Sequence, residues 1–264
     1  TTVNGNDLGA FTGINTLTGS TQPGNSLTGL DVDATAPNGG DATWTFDAAG
    51  DSYSVGADPN KQTLAFSNFD TYTGGNRNDT FNVNRALTTD LDGRGGDDVF
   101  NINAVLTGSL TGGTGNDIFN INTGGRVTGP IAGGTGNDTL SYANHTSATH
   151  ATLTGIPDTD GFAGDVSSTT VAADRGNLGS FTGIDTLTGS TQLGNSLTGL
   201  NQEATWTFDA TDSYSVGADP NKRTLAFSNF DTYIAGSAVD TFNVNRALTT
   251  DLDGRGGDDV FNIN

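Results

Sequence analysis

The sequence predicts an all-β protein wound as a parallel β-solenoid with coils of about 19–21 residues. Three observations carry this. Segments NDTFNVN, DDVFNIN, NDIFNIN and NDTLSYA place a large apolar residue at Phe81, Phe100, Phe119 and Leu140, with spacings of 19, 19 and 21. Inside each segment apolar and polar residues alternate, the period of a strand with one face turned inward. The composition is also poor in strong helix formers and rich in turn and β-branched residues: 39 Gly, 43 Thr, 29 Asp and 27 Asn, against one Glu and no Met. A helical bundle or a doubly wound α/β enzyme needs amphipathic helical stretches that such a chain does not provide.

Taken in order, FTGINTLTGS (11–20) opens as a looser version of the coil, and a nonrepeated stretch, 31–41, follows it. TWTFDAAGDSYSV (43–55) reads as a strand pair whose turn is DAAGD. Its later counterpart, TWTFDATDSYSV (205–216), has lost one turn residue, a loss that a surface turn tolerates and a strand does not. FSNFDTYTGG (66–75) leads into the regular coils. There the register predicts an inward Phe column, a Val/Ile column, further apolar columns at Leu87 and Leu106 and at Leu91 and Leu110, and outward Asn columns at Asn82, Asn101, Asn120 and Asn84, Asn103, Asn122. The stretch 145–174 has weaker periodicity and Gly and Pro punctuation, and is expected to form irregular coils or a loop insertion. At ~4.8 Å per coil, about a dozen coils make a rod on the order of 60 Å long.

The chain is also duplicated. Residues 8–30 return as 178–200, and 42–103 return, with one deletion, as 204–264. This gives a first long repeat, 1–177, and a second, truncated copy, 178–264, continuous with the same solenoid. The second copy stops at FNIN, where the first runs on into AVLTGSLTGGTGND, which reads as a slice of a tandem array.

Charge narrows the partners. A net charge of −20 leaves no basic stripe for phosphates, so nucleic acid is not an expected partner. With no Cys, disulfides, zinc thiolates and thiol catalysis are excluded. No apolar run approaches the ~20 residues of a membrane span, so membrane insertion is not expected. Enzyme activity is not expected either. His145 and His150 lie in the polar stretch NHTSATH as expected loop histidines, and Arg85, Arg94, Arg246 and Arg255 recur with the repeat instead of converging once on a groove. Thr-rich turns such as TLTGST do not supply T-x-T ranks at every coil, which argues against ice binding. Asn78, Asn137 and Asn144 stand in glycosylation sequons.

The turns GRGGDD, GGTGND and GGTGND align Asp98, Asp117 and Asp138 in one column. The segments GGTGNDIFN (112–120) and GGTGNDTLS (133–141) resemble the RTX nonapeptide pattern, G-G-x-G-x-D-x-U-x. That resemblance implies Ca2+ held by turn carbonyls and by the carboxylates of Asp98, Asp117 and Asp138. RTX turns recur every nine residues, whereas here one turn occurs per coil. Where GGNRND before Phe81 becomes AGSAVD before Phe242, the Asp persists (Asp79, Asp240) while its Gly and Asn neighbours change. The other reading of the column needs no metal: each carboxylate accepts N–H bonds in its own turn or caps unpaired amides at a coil corner.

LTGGTGNDIFNIN, FTGIDTLTGS and FSNFDTYTGG are also similar to motifs of large bacterial surface proteins, the filamentous-haemagglutinin-like and RTX-like adhesins. The resemblance implies an exported, extracellular or cell-surface solenoid. The expected function is a structural module of a fibre, sheath or stalk whose partner is itself, through end-to-end coil stacking or neighbouring repeats. The alternative is a calcium-binding adhesin module recognising surface glycans through nonrepeated segments such as 31–41 or 145–174.

Overall fold

The structure, a computed structural model, describes residues 13–31, 41–56, 61–168, 177–218 and 220–264. Among these the protein is all-β, with no helix, and its strands assemble into two long, mainly parallel sheets in the arrangement of a β-solenoid. The fourteen-stranded sheet runs Thr16–Thr18, Gln62–Ser67, Asp51–Val55, Ala42–Phe46, Asp79–Val83, Val99–Ile102, Ile118–Ile121, Thr139–Ser141, Thr186–Thr188, Arg223–Ser228, Ser213–Val216, Ala204–Phe208, Asp240–Val244, Val260–Ile263. The eleven-stranded sheet runs Ser26–Thr28, Thr71–Thr73, Asp90–Gly95, Leu110–Thr114, Pro130–Thr135, Asn177–Ile184, Phe162–Ser168, Thr149–Gly155, Ser196–Thr198, Thr232–Ile234, Asp251–Asp253. Val105–Leu106 pairs with Arg126–Val127 at a third corner, and Leu87 bridges to Leu106 there.

The alternating pattern places one apolar column on each inner face. Phe81, Phe100 and Phe119 are fully buried and stack, with centroids 4.8 and 5.0 Å apart and ring planes within 9°. Trp44 extends this stack over Phe81, and Trp206 does the same over Phe242 in the second copy. Val83, Ile102 and Ile121 form the column beside it, while Leu91, Leu110 and Ile131 face them from the other sheet. The solvent side carries the Asn columns as bonded ladders: Asn101 donates to Asn82 at 2.9 Å and Asn120 to Asn101 at 3.0 Å. Asn103 donates to Asn84, and Asn122 to Asn103.

Strand order departs from simple coiling in three places. The expected strand pair forms, Trp44 opposite Tyr53, but a third strand, Gln62–Ser67, folds back over it to reach Thr16–Thr18. The result is a three-stranded meander inserted into the sheet, and residues 204–228 repeat it. Tyr53 and Tyr214 lock the meanders by accepting the Leu30 and Leu200 N–H groups at 3.0 and 2.9 Å. Arg85 and Arg246 form two-point pairs with Asp51 and Asp212, tying each meander to the next coil, which gives these repeated arginines a structural place.

The third departure falls in the stretch expected to be irregular. Thr149–Gly155 and Phe162–Ser168 are strands that pair antiparallel, with a register shift at Leu153/Gly155, and join Asn177–Ile184 as a meander in the opposite sheet. Between the coil containing Thr139–Ser141 and that containing Asp240–Val244, each sheet therefore gains one meander, and the two stay level. Inward-facing Ala151, Leu153, Phe162 and Val166 explain why this stretch pairs as strands despite its weak coil periodicity. Residues 32–40 of the segment 31–41 and 169–174 of the segment 145–174 lie outside the described residues.

The turns require glycine for two reasons at Gly115. Its φ is +127°, and a Cβ there would lie 2.0 Å from the Gly96 carbonyl oxygen of the preceding coil. Gly115→Ala should therefore cost about 2 kcal/mol or more. Gly155→Ala meets open space and should cost under about 0.5 kcal/mol. Urea unfolding of the two variants checks the pair; equal midpoints would refute this account of the turn.

Candidate functional site

The Asp column predicted from the turns exists, and the strand period decides which way it points. Asp98 lies two residues before Phe100, so its side chain shares the inward face with the ring; Asp117 and Asp138 stand in the same relation to Phe119 and Leu140. All three are fully buried, as is Asp240, and Asp79 is nearly so.

The carboxylates of Asp98, Asp117 and Asp138 reach across to the neighbouring coil instead of closing on their own turns, whereas Asp79 accepts the Gly75 N–H of its own turn. The Asp79 N–H donates to Oδ1 of Asp98 at 2.7 Å, the Asp98 N–H to Oδ1 of Asp117 at 2.8 Å, and the Asp117 N–H to Oδ1 of Asp138 at 2.8 Å. The Asp138 N–H continues to Asp185 at 3.0 Å, and Asp240 donates to Asp259 at 2.9 Å. An own-turn Asx bond is thus replaced by an inter-coil one. Capping of corner amides holds, with the amide belonging to the coil before.

The residue just before Asp79, Asp98, Asp117 and Asp138 belongs to a second ladder in the opposite sense. The Asp97 N–H donates to Asn78 Oδ1 at 2.8 Å, the Asn116 N–H to Asp97 at 2.7 Å, and the Asn137 N–H to Asn116 at 2.9 Å. The dipeptide N-D or D-D therefore clamps a coil to both neighbours, the first side chain outside and the second inside. Sequence reasoning singled out only the inner residue. The dipeptide's recurrence in phase with the Phe column was the available signal for the outer one.

The second oxygen of the inner carboxylates is the unusual feature. Oδ2 of Asp98, Asp117 and Asp138 is buried with no hydrogen-bond partner, whereas Asp79 Oδ2 accepts the Gly75 N–H at 2.7 Å. These oxygens press against the turn glycines; a Cβ on Gly93, Gly112 or Gly133 would come within 2.1–2.5 Å of them. Burial away from water disfavours the ionised form. It pushes Asp98 up to about 8, Asp138 to about 7, and Asp79, Asp117 and Asp240 to about 6, with neighbouring carboxylates reinforcing the rise at Asp98 and Asp138. A proton on Oδ2 removes the charge while leaving Oδ1 free to accept its N–H.

For a cation, Asp98, Asp117 and Asp138 each offer one uncommitted carboxylate oxygen. Among the described residues no group of three or more His, Cys, Asp or Glu side chains converges on a metal position. A calcium ion, which takes about six to eight oxygens, would draw its remaining ligands from turn carbonyls.

His145 lies in a loop, between Thr139–Ser141 and Thr149–Gly155, but is buried there, its Nδ1 3.3 Å from the Ser147 backbone nitrogen and carbonyl oxygen, whereas His150 stands half-buried on the strand Thr149–Gly155 with Nδ1 2.9 Å from Ser196 Oγ. The two are held by different elements and share no partner. No helix among the described residues is long and apolar enough to cross a membrane. Compared with models of known protein families and with curated proteins, the sequence matches none of them.

Proposed function

We propose that this chain is a structural module of an extracellular bacterial fibre, sheath or stalk built from stacked β-solenoid coils, with no catalytic role. The observation that carries the reading is where the recurrent side chains spend their bonds. The Phe stack, the inner Asp ladder, the outer Asn/Asp ladder and the outward Asn ladders each join one coil to the next, at 2.7–3.0 Å for the polar ones. Such contacts extend without limit along one axis, which is what a load-bearing rod needs. The extracellular and bacterial setting is supported by the adhesin-like motifs, and the acidity keeps separate rods from collapsing together.

A second reading, a calcium-binding RTX-like adhesin module that recognises surface glycans, is favoured by one feature, the unpartnered Oδ2 atoms of Asp98, Asp117 and Asp138. Electron microscopy of native material before and after exhaustive chelation separates the two. Uniform fibres that survive chelation are expected; rods that melt on chelation and return with Ca2+ would transfer the column to metal binding. Specific glycan binding on an array, lost on deletion of 31–41 or on alanine substitution of the exposed turn residues Asp158 and Thr159 within 145–174, would displace the fibre reading.

A further inference from the structure

Two adjacent outward rows of the fourteen-stranded sheet carry no charged side chain among the described residues, in a chain with 30 acidic and 10 basic residues; charge borders them, at Asp41 and Asp97 on one side and, on the other, at Asp47, which Asn84 of the outward ladder reaches. Asp51, Asp79, Arg223 and Asp240 begin strands of this sheet, but the alternation turns them inward. Strand register aligns Thr43, Thr80, Val99, Ile118, Thr139 and Thr186 in one unbroken outward row. The row beside it over the same strands is Thr, Asn and Ser only.

Avoidance of stacked like charges does not explain this, because the other sheet has the same stacking and takes Asp90, Asp92, Asp165, Asp251 and Asp253 on its outer face. There the aspartates alternate with neutral coils: Asp90 and Asp92 lie between Thr71 and Thr73 on one side and neutral residues on the other. The long sheet could carry charge by the same device and does not. Successive rings beneath it lie within 2–9° of parallel, so neighbouring strands twist little and the outer rows stay nearly straight.

We propose that this neutral face is a lateral docking surface for a second copy of the chain, the two long sheets meeting face to face. The contact is distinct from end-to-end coil stacking, and it rests on the fibre reading only in taking another copy as the partner. Charge selects the face: two chains of net charge −20 repel through their turns and their Asp-bearing sheets, and on these two neutral rows they approach with the bordering carboxylates of Asp41, Asp47 and Asp97 left at the solvent-facing rim. Area permits it. Fourteen strands at ~4.8 Å, with two to three outward residues each, present on the order of 700 Å² per copy, close to the share of a standard stable interface. Short Thr, Ser, Asn and Val side chains in straight rows interdigitate as facing sheets do in dry zippers, with the part-exposed Ile118 near the centre. A two-fold contact is self-complementary, so residues near the middle of the face meet their own counterparts. The strands Ile118–Ile121 and Thr139–Ser141 are seventh and eighth of the fourteen.

The absence of native Cys makes cross-linking a clean test. Asn120→Cys and Thr139→Cys, on the face, and Asp92→Cys, on the opposite sheet, are oxidised mildly in the otherwise intact chain. The face variants should give about tenfold more disulfide dimer than Asp92→Cys, because a disulfide forms only where the Cβ atoms already approach. Sedimentation of the Cys-free chain should show a dimer that strengthens with added salt, as repulsion between the acidic sides is screened. The double variant Asn101→Lys, Ile118→Lys should sediment as a monomer with an unchanged β-sheet circular dichroism spectrum. Equal cross-linking from both sheets would overturn the proposal, as would a monomer at every salt concentration, or a monomer that binds ice or crystalline polysaccharide through this face. Absence of filaments together with face-specific cross-links would instead sink the fibre reading and leave the lateral contact standing.

Discussion

The folded protein should be more stable at pH 4.5 than at pH 8, against the usual trend for an acidic protein with paired carboxylates. The inner aspartates have folded-state pKa values above the ordinary ~3.9 of an unfolded chain, at about 8 for Asp98, about 7 for Asp138 and about 6 for Asp79, Asp117 and Asp240. Between those limits the folded chain holds protons that the unfolded chain has released, so unfolding loses protons and stability falls as pH rises. The stabilisation is fully present below about pH 4 and is lost through pH 6–8. Asp90 works in the opposite sense: bonds from the Ser109 N–H and hydroxyl lower its pKa, so its contribution fades in stronger acid and the optimum lies near pH 4–5.

Relief of general repulsion at −20 acts in the same direction, and substitution separates the two. Asp98→Asn keeps an acceptor for the Asp79 N–H and puts an uncharged group where the proton sits. It should flatten the profile between pH 5 and 8 and raise stability at pH 8 by at least ~1 kcal/mol. Asp98→Ala strands that buried N–H and should destabilise at acid pH by about 1–3 kcal/mol. Denaturant midpoints from pH 4 to 8 measure all three proteins. A wild-type midpoint that climbs with pH, or an Asn variant with an unaltered slope, would show that these carboxylates are ionised and compensated in the fold.

Phe100→Ala should be the most damaging single core substitution, at about 3–5 kcal/mol. Its ring has no exposed surface and stacks between Phe81 and Phe119 at 4.8 and 5.0 Å, so its removal opens a cavity that two neighbouring coils cannot both fill. Because each coil touches only the next, the loss falls at a joint of the rod, and unfolding should separate into two steps. Val105 provides the control: it stands on the strand Val105–Leu106 with 38% of its surface exposed, so Val105→Ala should cost about 1 kcal/mol or less. Thermal unfolding followed by circular dichroism compares them; equal costs would mean that the ring column contributes little beyond local strand propensity.

The Phe column also marks where sequence reading ends. The alternation around Phe100 made the strand, its inward face and the 19-residue register legible, because alternation is a property of residues two apart on one chain. Columns at Leu87 and Leu106, the Asn ladders and the Trp–Tyr strand pair were legible for the same reason. Whether a given Phe is roofed over is set by a coil tens of residues away. The backward fold of Gln62–Ser67 and the second-sheet meander at Thr149–Ser168 depend on which edge a strand pairs with, and their local patterns suit several edges equally.

The Asp column divides in the same way. Its alignment followed from the repeat and its inward face from the strand period, but only the packed coils decided that the carboxylates of Asp98, Asp117 and Asp138 each give one oxygen to the preceding coil's amide and leave the other dry. The sequence by itself determined the period and the faces, which are local and repeated. The tertiary structure decided pairing, burial and protonation, because those depend on desolvation and hydrogen bonds supplied by the neighbouring coils.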